Sequence, residues 1–115
     1  MVIGQQITIP PIPHGSLIEK IIVGRLVDDL RAAGYKLRVY DGEEYATGCT
    51  RDPAIIYAAM AATDQDRLDL FKEGKHVAWV LLIWGNDGDI ISDYSTNLEP
   101  IIKPIYGWIE TLEAR

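Results

Sequence analysis

Apolar positions recur at three- and four-residue steps in some stretches of the chain and alternate in others, and these two periods set out its elements. From residue 16 to 33, Leu17, Ile18, Ile21, Ile22, Leu26, Leu30 and Ala33 share one stripe, while Glu19, Lys20, Asp28, Asp29 and Arg31 lie mostly elsewhere. Ser16 and Glu19 have capping-box spacing and Gly34 supplies a left-handed stop, so an amphipathic helix is expected between them. Its broad stripe suits packing on a sheet. Residues 35–40 then alternate, Tyr35, Leu37 and Val39 against Lys36, Arg38 and Tyr40, which predicts a half-buried strand. Asp41-Gly42 ends it, and residues 41–52 (DGEEYATGCTRD) read as a polar, turn-prone loop.

Asp52-Pro53 marks a second helix start, with the carboxylate as N-cap and proline where its missing N–H costs nothing, and the helix is expected to reach about Ala62. Residues 67–72 and 76–84 flank Glu73-Gly74-Lys75 as a hairpin. The second of these, HVAWVLLIW, is apolar at both parities, so a central strand covered on both faces is expected, with Trp79 in the core. A turn at Gly85-Asn86-Asp87-Gly88 leads to a strand near Ile90 to Tyr94 at or near a sheet edge. The last helix is predicted from Thr96, spaced from Glu99 as a capping box, to about Glu113, with a kink or late start at Pro104. The order α-β-α-β-β-β-α makes an α+β domain on a mostly antiparallel sheet of about four strands. Residues 1–15, with Pro10, Pro11 and Pro13, read as an extended or loosely attached arm in which Ile7 and Ile9 alternate enough to add a short strand.

Composition narrows the class. The 115 residues are 48% hydrophobic and 24% charged, which suits one domain over residues 1–115 with a core of its own. The longest apolar run, residues 77–84, is far short of a membrane span. Net charge is −6, with cations dispersed along the chain, so a nucleic-acid partner is not expected. Acidic mimicry of nucleic acid would need the negative charge gathered on one face. A single cysteine, Cys49, and an N-terminal segment without a basic and apolar signal pattern make the cytoplasm the expected compartment.

Candidate chemistry concentrates in GNDGDIISDYS. Asn86, Asp87, Asp89 and Asp93 are oxygen ligands at short spacing, but with Gly88 at the turn position of a calcium loop, Ile83, Gly85 and Tyr94 fall on ligand positions. Turn formation alone accounts for Asn-Asp-Gly. Asp93, within a strand, is the one without a ready role. Cys49 has no partner visible among His14 and His76, Glu43, Glu44 and Asp52 read as solvated carboxylates, and no phosphate-binding glycine pattern occurs. No catalytic residue, metal or cofactor is implied. Trp84, at a strand end beside the turn, is expected to be partly exposed and to form one wall of a binding surface with Tyr94.

At Asp41-Gly42-Glu43-Glu44, and more strongly at WGNDGDIISDYS (residues 84–95), the chain resembles small uncharacterised proteins encoded by bacteriophages and prophages, from about residue 16 onward. The resemblance implies a bacterial cytoplasmic accessory protein and transfers no catalytic residue. The expectation is therefore a binding module acting by protein contact through Glu43, Glu44, Trp84, Asn86, Asp87, Asp89, Asp93 and Tyr94. The alternative is a metal-dependent hydrolase built on Asp87, Asp89 and Asp93. Two-sided apolarity of residues 77–84 also predicts a homodimer, because three helices are too few to cover both faces.

Overall fold

The computed structural model of the chain describes residues 9–113. Ser16 opens the first helix as its spacing requires: its N–H donates to Glu19 Oε1 at 2.8 Å, and Glu19 N–H donates to Ser16 Oγ at 3.3 Å. The helix, α1, spans Leu17–Ala32. Its buried stripe is Ile22, Val23, Leu26, Val27 and Leu30, turned slightly from the expected one, so that Leu17 is 58% exposed. Glu19, expected among the solvated residues, is buried.

Strand β1 (Lys36–Tyr40) is followed by helix α2 (Pro53–Ala58), strands β2 (Gln65–Lys72), β3 (Lys75–Ile83) and β4 (Ile91–Tyr94), and helix α3 (Glu99–Glu113). The sheet is antiparallel throughout in the order β1-β2-β3-β4, the α+β architecture expected, with β3 interior and β4 at an edge. The β2–β3 hairpin turns on Glu73 and Gly74, both at positive φ (52° and 77°), a two-residue turn whose twist matches that of the strands it joins. Leu37, Val39, Leu68, Leu70, Ala78, Val80 and Leu82 point to one face and share a single core with all three helices. Burying each Leu or Ile there contributes about 1.5–3 kcal/mol.

Five expectations are corrected. The segment near residues 9–12 is not loosely held, since Pro10 and Ile12 are buried; Ile9 belongs to no strand, and Ile7 lies outside the described residues. Helix α2 stops at Ala58, not Ala62, because the chain reverses through Ala61 at φ 61°, where the Ala61 N–H is taken by Asp66 Oδ2 at 2.7 Å. Thr96 does not cap α3: Thr96–Leu98 is a 3₁₀ turn, and neighbouring Ser95 Oγ is committed to Trp79, accepting from its N–H at 2.6 Å and donating to its carbonyl at 3.1 Å. Helix α3 instead starts at Glu99 and runs past Pro104; Pro100 and Pro104 are both exposed, so the carbonyl four residues before Pro104, which gets no helical N–H, lies at the solvent side.

Most consequential is β3. Among the described residues it is covered on one face only. Ala78, Val80, Leu82 and Trp84 are buried against the helices, whereas Trp79, Leu81 and Ile83 are half-buried and Val77 is 39% exposed on the other side. The tryptophans thus exchange their expected places: Trp79 leaves the core and Trp84 enters it. The Trp84 indole packs where Gly15, at φ 104°, has no Cβ, since a Cβ there would come within 2.8 Å of the ring. Its Nε1–H donates to Asp66 Oδ2 at 2.8 Å.

Asp66 is itself fully buried, and its Oδ1 has no hydrogen-bond partner among the described residues. Burial therefore raises its carboxyl above the ordinary 3.8, a shift only partly opposed by the Ala61 and Trp84 hydrogen bonds. A raised carboxyl binds its proton more tightly in the folded state, so its contribution falls as pH rises from 3.8 through the folded value. Asp66→Asn keeps an acceptor for Ala61 and Trp84 while removing the charge. Its unfolding midpoint in urea at neutral pH is expected to exceed that of the parent chain, and an equal or lower midpoint would contradict a strained buried carboxylate.

Candidate functional site: the open face of the sheet

The expected surface at residues 84–94 is divided by the fold. Backbone N–H groups of Gly85, Asn86 and Asp87 converge on Glu19 Oε2 at 2.6, 2.9 and 3.1 Å, so the capping-box carboxylate of α1 also clamps the turn. Burial of Glu19 pushes its carboxyl up, but the backbone donors outweigh it and hold it below the ordinary 4.5. The turn is fastened to the fold by its backbone, leaving the side chains of Asn86, Asp87 and Asp89 in solvent. Tyr94 pairs with inward-facing Val80 and its ring lies 6.1 Å from that of Tyr106 on α3, so it faces the helices, and Trp84 is buried; neither walls an exposed site.

Glu43 and Glu44 are exposed on a turn closed by Asp41, whose Oδ1 accepts from both of their N–H groups at 2.9 Å. Those backbone bonds keep the Asp41 carboxyl below its usual range. This turn and the residue 85–88 turn lie at the same end of the sheet, but residues 63–64 stand between them: Thr63 Oγ1 donates to the Asp41 carbonyl, and the Asp64 carbonyl accepts from Trp84 N–H. Cys49 and Arg51 line a separate cleft with Lys36, Phe71 and Glu73. Among the described residues no group of three His, Cys, Asp or Glu is arranged to hold a metal ion, so Asp87, Asp89 and Asp93 do not gather as ligands.

Asp93 lies elsewhere. It pairs with Leu81, which pairs with Arg67, which pairs with Tyr40, so these four form one rank across the sheet on the side away from the helices. The next rank is Arg38, Asp69 and Trp79, with Ser95 bonded to Trp79 beyond it. The face is knitted around Asp69, which is fully buried although no helix covers it. Arg67 grips it with two bonds, Nε to Oδ1 at 2.8 Å and Nη2 to Oδ2 at 3.0 Å, while Tyr45 OH donates to Oδ2 at 2.7 Å and His76 Nε2 lies 3.4 Å from Oδ1.

Sequence places these groups simply. Arg67 and Asp69 are two apart on β2, on one face, and the residue 41–52 loop folds back along β1, pairing Tyr45 with Tyr40 and Thr50 with Leu37. Tyr45 is thereby laid over the sheet, with the Arg38 guanidinium 3.6 Å above its ring and Arg67 4.5 Å from the Tyr40 ring. Burial of Asp69 raises its carboxyl, but Arg67, Tyr45 and His76 overcome this and leave it below the ordinary 3.8. The knot is charge-compensated, with both Asp69 oxygens bonded. Beside it, Val77, Trp79, Leu81 and Ile83 form an uncovered apolar strip along β3, with a depression lined by Arg67, Asp69, His76, Trp79 and Leu81.

Of the residues singled out from sequence, only Asp93 belongs to this face. Arg67, Asp69, His76 and Tyr45 were missed. A signal for the first two existed, since opposite charges at alternate positions of a strand, flanked by Leu68 and Leu70, share one face. No such signal existed for Tyr45, which reaches Asp69 through a loop. No protein-family model, curated protein or solved structure matches the chain.

Two substitutions test these carboxylates. Glu19→Gln replaces one charged acceptor by a group that presents N–H to N–H donors, and a loss of about 2–4 kcal/mol in unfolding free energy is expected. Asp69→Ala strands Arg67 and the Tyr45 hydroxyl and is expected to cost about 2–3 kcal/mol, less than a fully desolvated pair because Arg67 stays partly in water. Both carboxyls are lowered on folding, so their stabilisation is complete above their unfolded values, 4.5 for Glu19 and 3.8 for Asp69, and is lost as pH falls through the folded ones. Urea melts from neutral to acid pH check this; variants that keep the parent's acid limb unchanged would contradict it.

Proposed function

We propose that this protein is a non-enzymatic accessory module that works by protein contact through the open face of its sheet. The observation that carries the reading is the apolar strip of β3, from Val77 through Trp79 and Leu81 to Ile83, left uncovered beside a charge-compensated knot. Apolar surface of this kind, rimmed by polar groups, is the ordinary composition of an interface. Tyr40, Tyr45, Trp79 and Arg67 supply the residue types that anchor such contacts, and Tyr45 and Arg67 are already bonded to Asp69, so little of their side-chain entropy remains to be lost. The chemistry of Asp69 supports the same reading. Its oxygens are occupied by Arg67, Tyr45 and His76, so it is a brace and not a free base.

This moves the contact surface from the residue 85–88 turn to the sheet, retaining Asp93 and the loop that carries Glu43, Glu44 and Tyr45. The bacteriophage and prophage resemblance supplies the setting proposed for it, a bacterial cytoplasm. A photo-cross-linking residue placed at Leu81 in the full chain, expressed in bacteria, is expected to give one discrete adduct that disappears when Trp79→Glu is added, while the same probe at exposed Lys103 on α3 gives none. Absence of an adduct at Leu81, or an equal one at Lys103, would exclude this face.

A further inference from the structure

The open face has a polarity from edge to edge. Its β1 border carries Lys36, Arg38 and Tyr40, its middle carries the Arg67–Asp69 pair beside Trp79 and Leu81, and its β4 border carries Asp93. Asp93 is exposed, and among the described residues its carboxylate accepts only from the adjacent Tyr94 N–H, at 2.8 Å, so an outward-facing acceptor remains. Read along the outward side chains of the strands, a surface that is basic on one border, charge-compensated and apolar in the middle and acidic on the other is complementary to itself after half a turn about an axis parallel to its strands.

Resting on the protein-contact reading, we infer that the occupant of this face is a second copy of the chain, stacked sheet on sheet about a two-fold axis running along the strands. Such a rotation lays β1 of each copy over β4 of the other. Asp93 of one copy then faces Tyr40 and Arg38 of the second, twice by symmetry. The indole of Trp79 comes to lie over the Arg67–Asp69 pair of the second copy, where the guanidinium is already charge-compensated and can be covered without desolvating a free charge. The strip on β3 that no helix covers is removed from water in the same step.

The alternative two-fold, with its axis across the strands, lays β4 on β4. It would oppose Asp93 to Asp93 and Arg38 to Arg38, and like charges across an interface disfavour it. Sheets stacked face to face lie about 10 Å apart with strands within about 30° of each other, close enough for Arg38, Tyr40 and Asp93 to bridge the two borders. Only about four short strands are covered, so a reversible dimer seen at high micromolar concentration is expected in place of an obligate one.

Sedimentation equilibrium of the full chain tests this. The parent chain is expected to be a reversible dimer that weakens as salt is raised. Asp93→Lys, at an exposed position, should keep the circular dichroism of the parent and raise the dimer dissociation constant roughly tenfold or more. Adding Arg38→Glu should bring it back toward the parent value. Should that double variant fail to fold, Asp93→Cys mixed with Tyr40→Cys, both in a Cys49→Ser background, and treated with a bis-maleimide whose spacer spans the roughly 10 Å between stacked sheets must give a cross-linked heterodimer in preference to either homodimer. A parent chain that stays monomeric at all concentrations overturns the second-copy inference, while an adduct at Leu81 to a different protein would leave the protein-contact reading standing. A dimer unmoved by Asp93→Lys, or an excess of cross-linked homodimers of the Asp93→Cys chain, overturns the axis proposed.

Discussion

Three helices laid on a four-stranded sheet cover one of its faces, and that constraint organises the rest of the molecule. The inward ranks Val39, Leu68, Val80 and Leu37, Leu70, Ala78 pack against α1, α2 and α3 in a single core. The outward ranks must meet water or a partner with whatever the sequence supplies. On β1 and β2 it supplies charge and aromatic rings, which close over themselves. On β3 it supplies Val77, Trp79, Leu81 and Ile83, which do not. The β2–β3 register shift, which leaves Val77 unpaired, opens the strand further at this point.

Three buried carboxylates show how environment decides what an acidic side chain does. Glu19 receives backbone N–H groups from two separate segments and is held in its ionised form. Asp69 is shielded from water as well, yet Arg67 and Tyr45 hold it ionised too. Asp66 has two donors on one oxygen and none on the other, and burial wins, raising its carboxyl. Part of the acidic complement of the chain is therefore internal structure.

Periodicity made most of the fold legible, because helix and strand periods are properties of neighbouring residues. The capping box at Ser16, the proline start of α2, the hairpin at Glu73-Gly74 and the edge position of β4 are all local signals that survived folding. The errors arose where a distant group competed. Ser95 was claimed by Trp79, which displaced the start expected at Thr96. Asp66 captured the Ala61 N–H and ended α2 early. The two faces of residues 77–84 look alike in sequence, and only the placement of the helices decides which one is covered. The site was legible in one residue: Asp93, conspicuous for lying in a strand without a partner, does belong to the open face.

That residue also shows why the open face is more than a leftover. A strand edge facing solvent is usually protected by charge, and β4 is short and carries Asp93 as such a guard. Yet the opposite border of the sheet is already covered by the residue 41–52 loop, which pairs Tyr45 and Thr50 along β1 and holds Arg38 and Tyr40 upright against the face. Cations fixed on one border and a free carboxylate on the other create a direction across the sheet. A partner must match that direction, and a second copy does so by symmetry alone, with no further sequence needed to specify it.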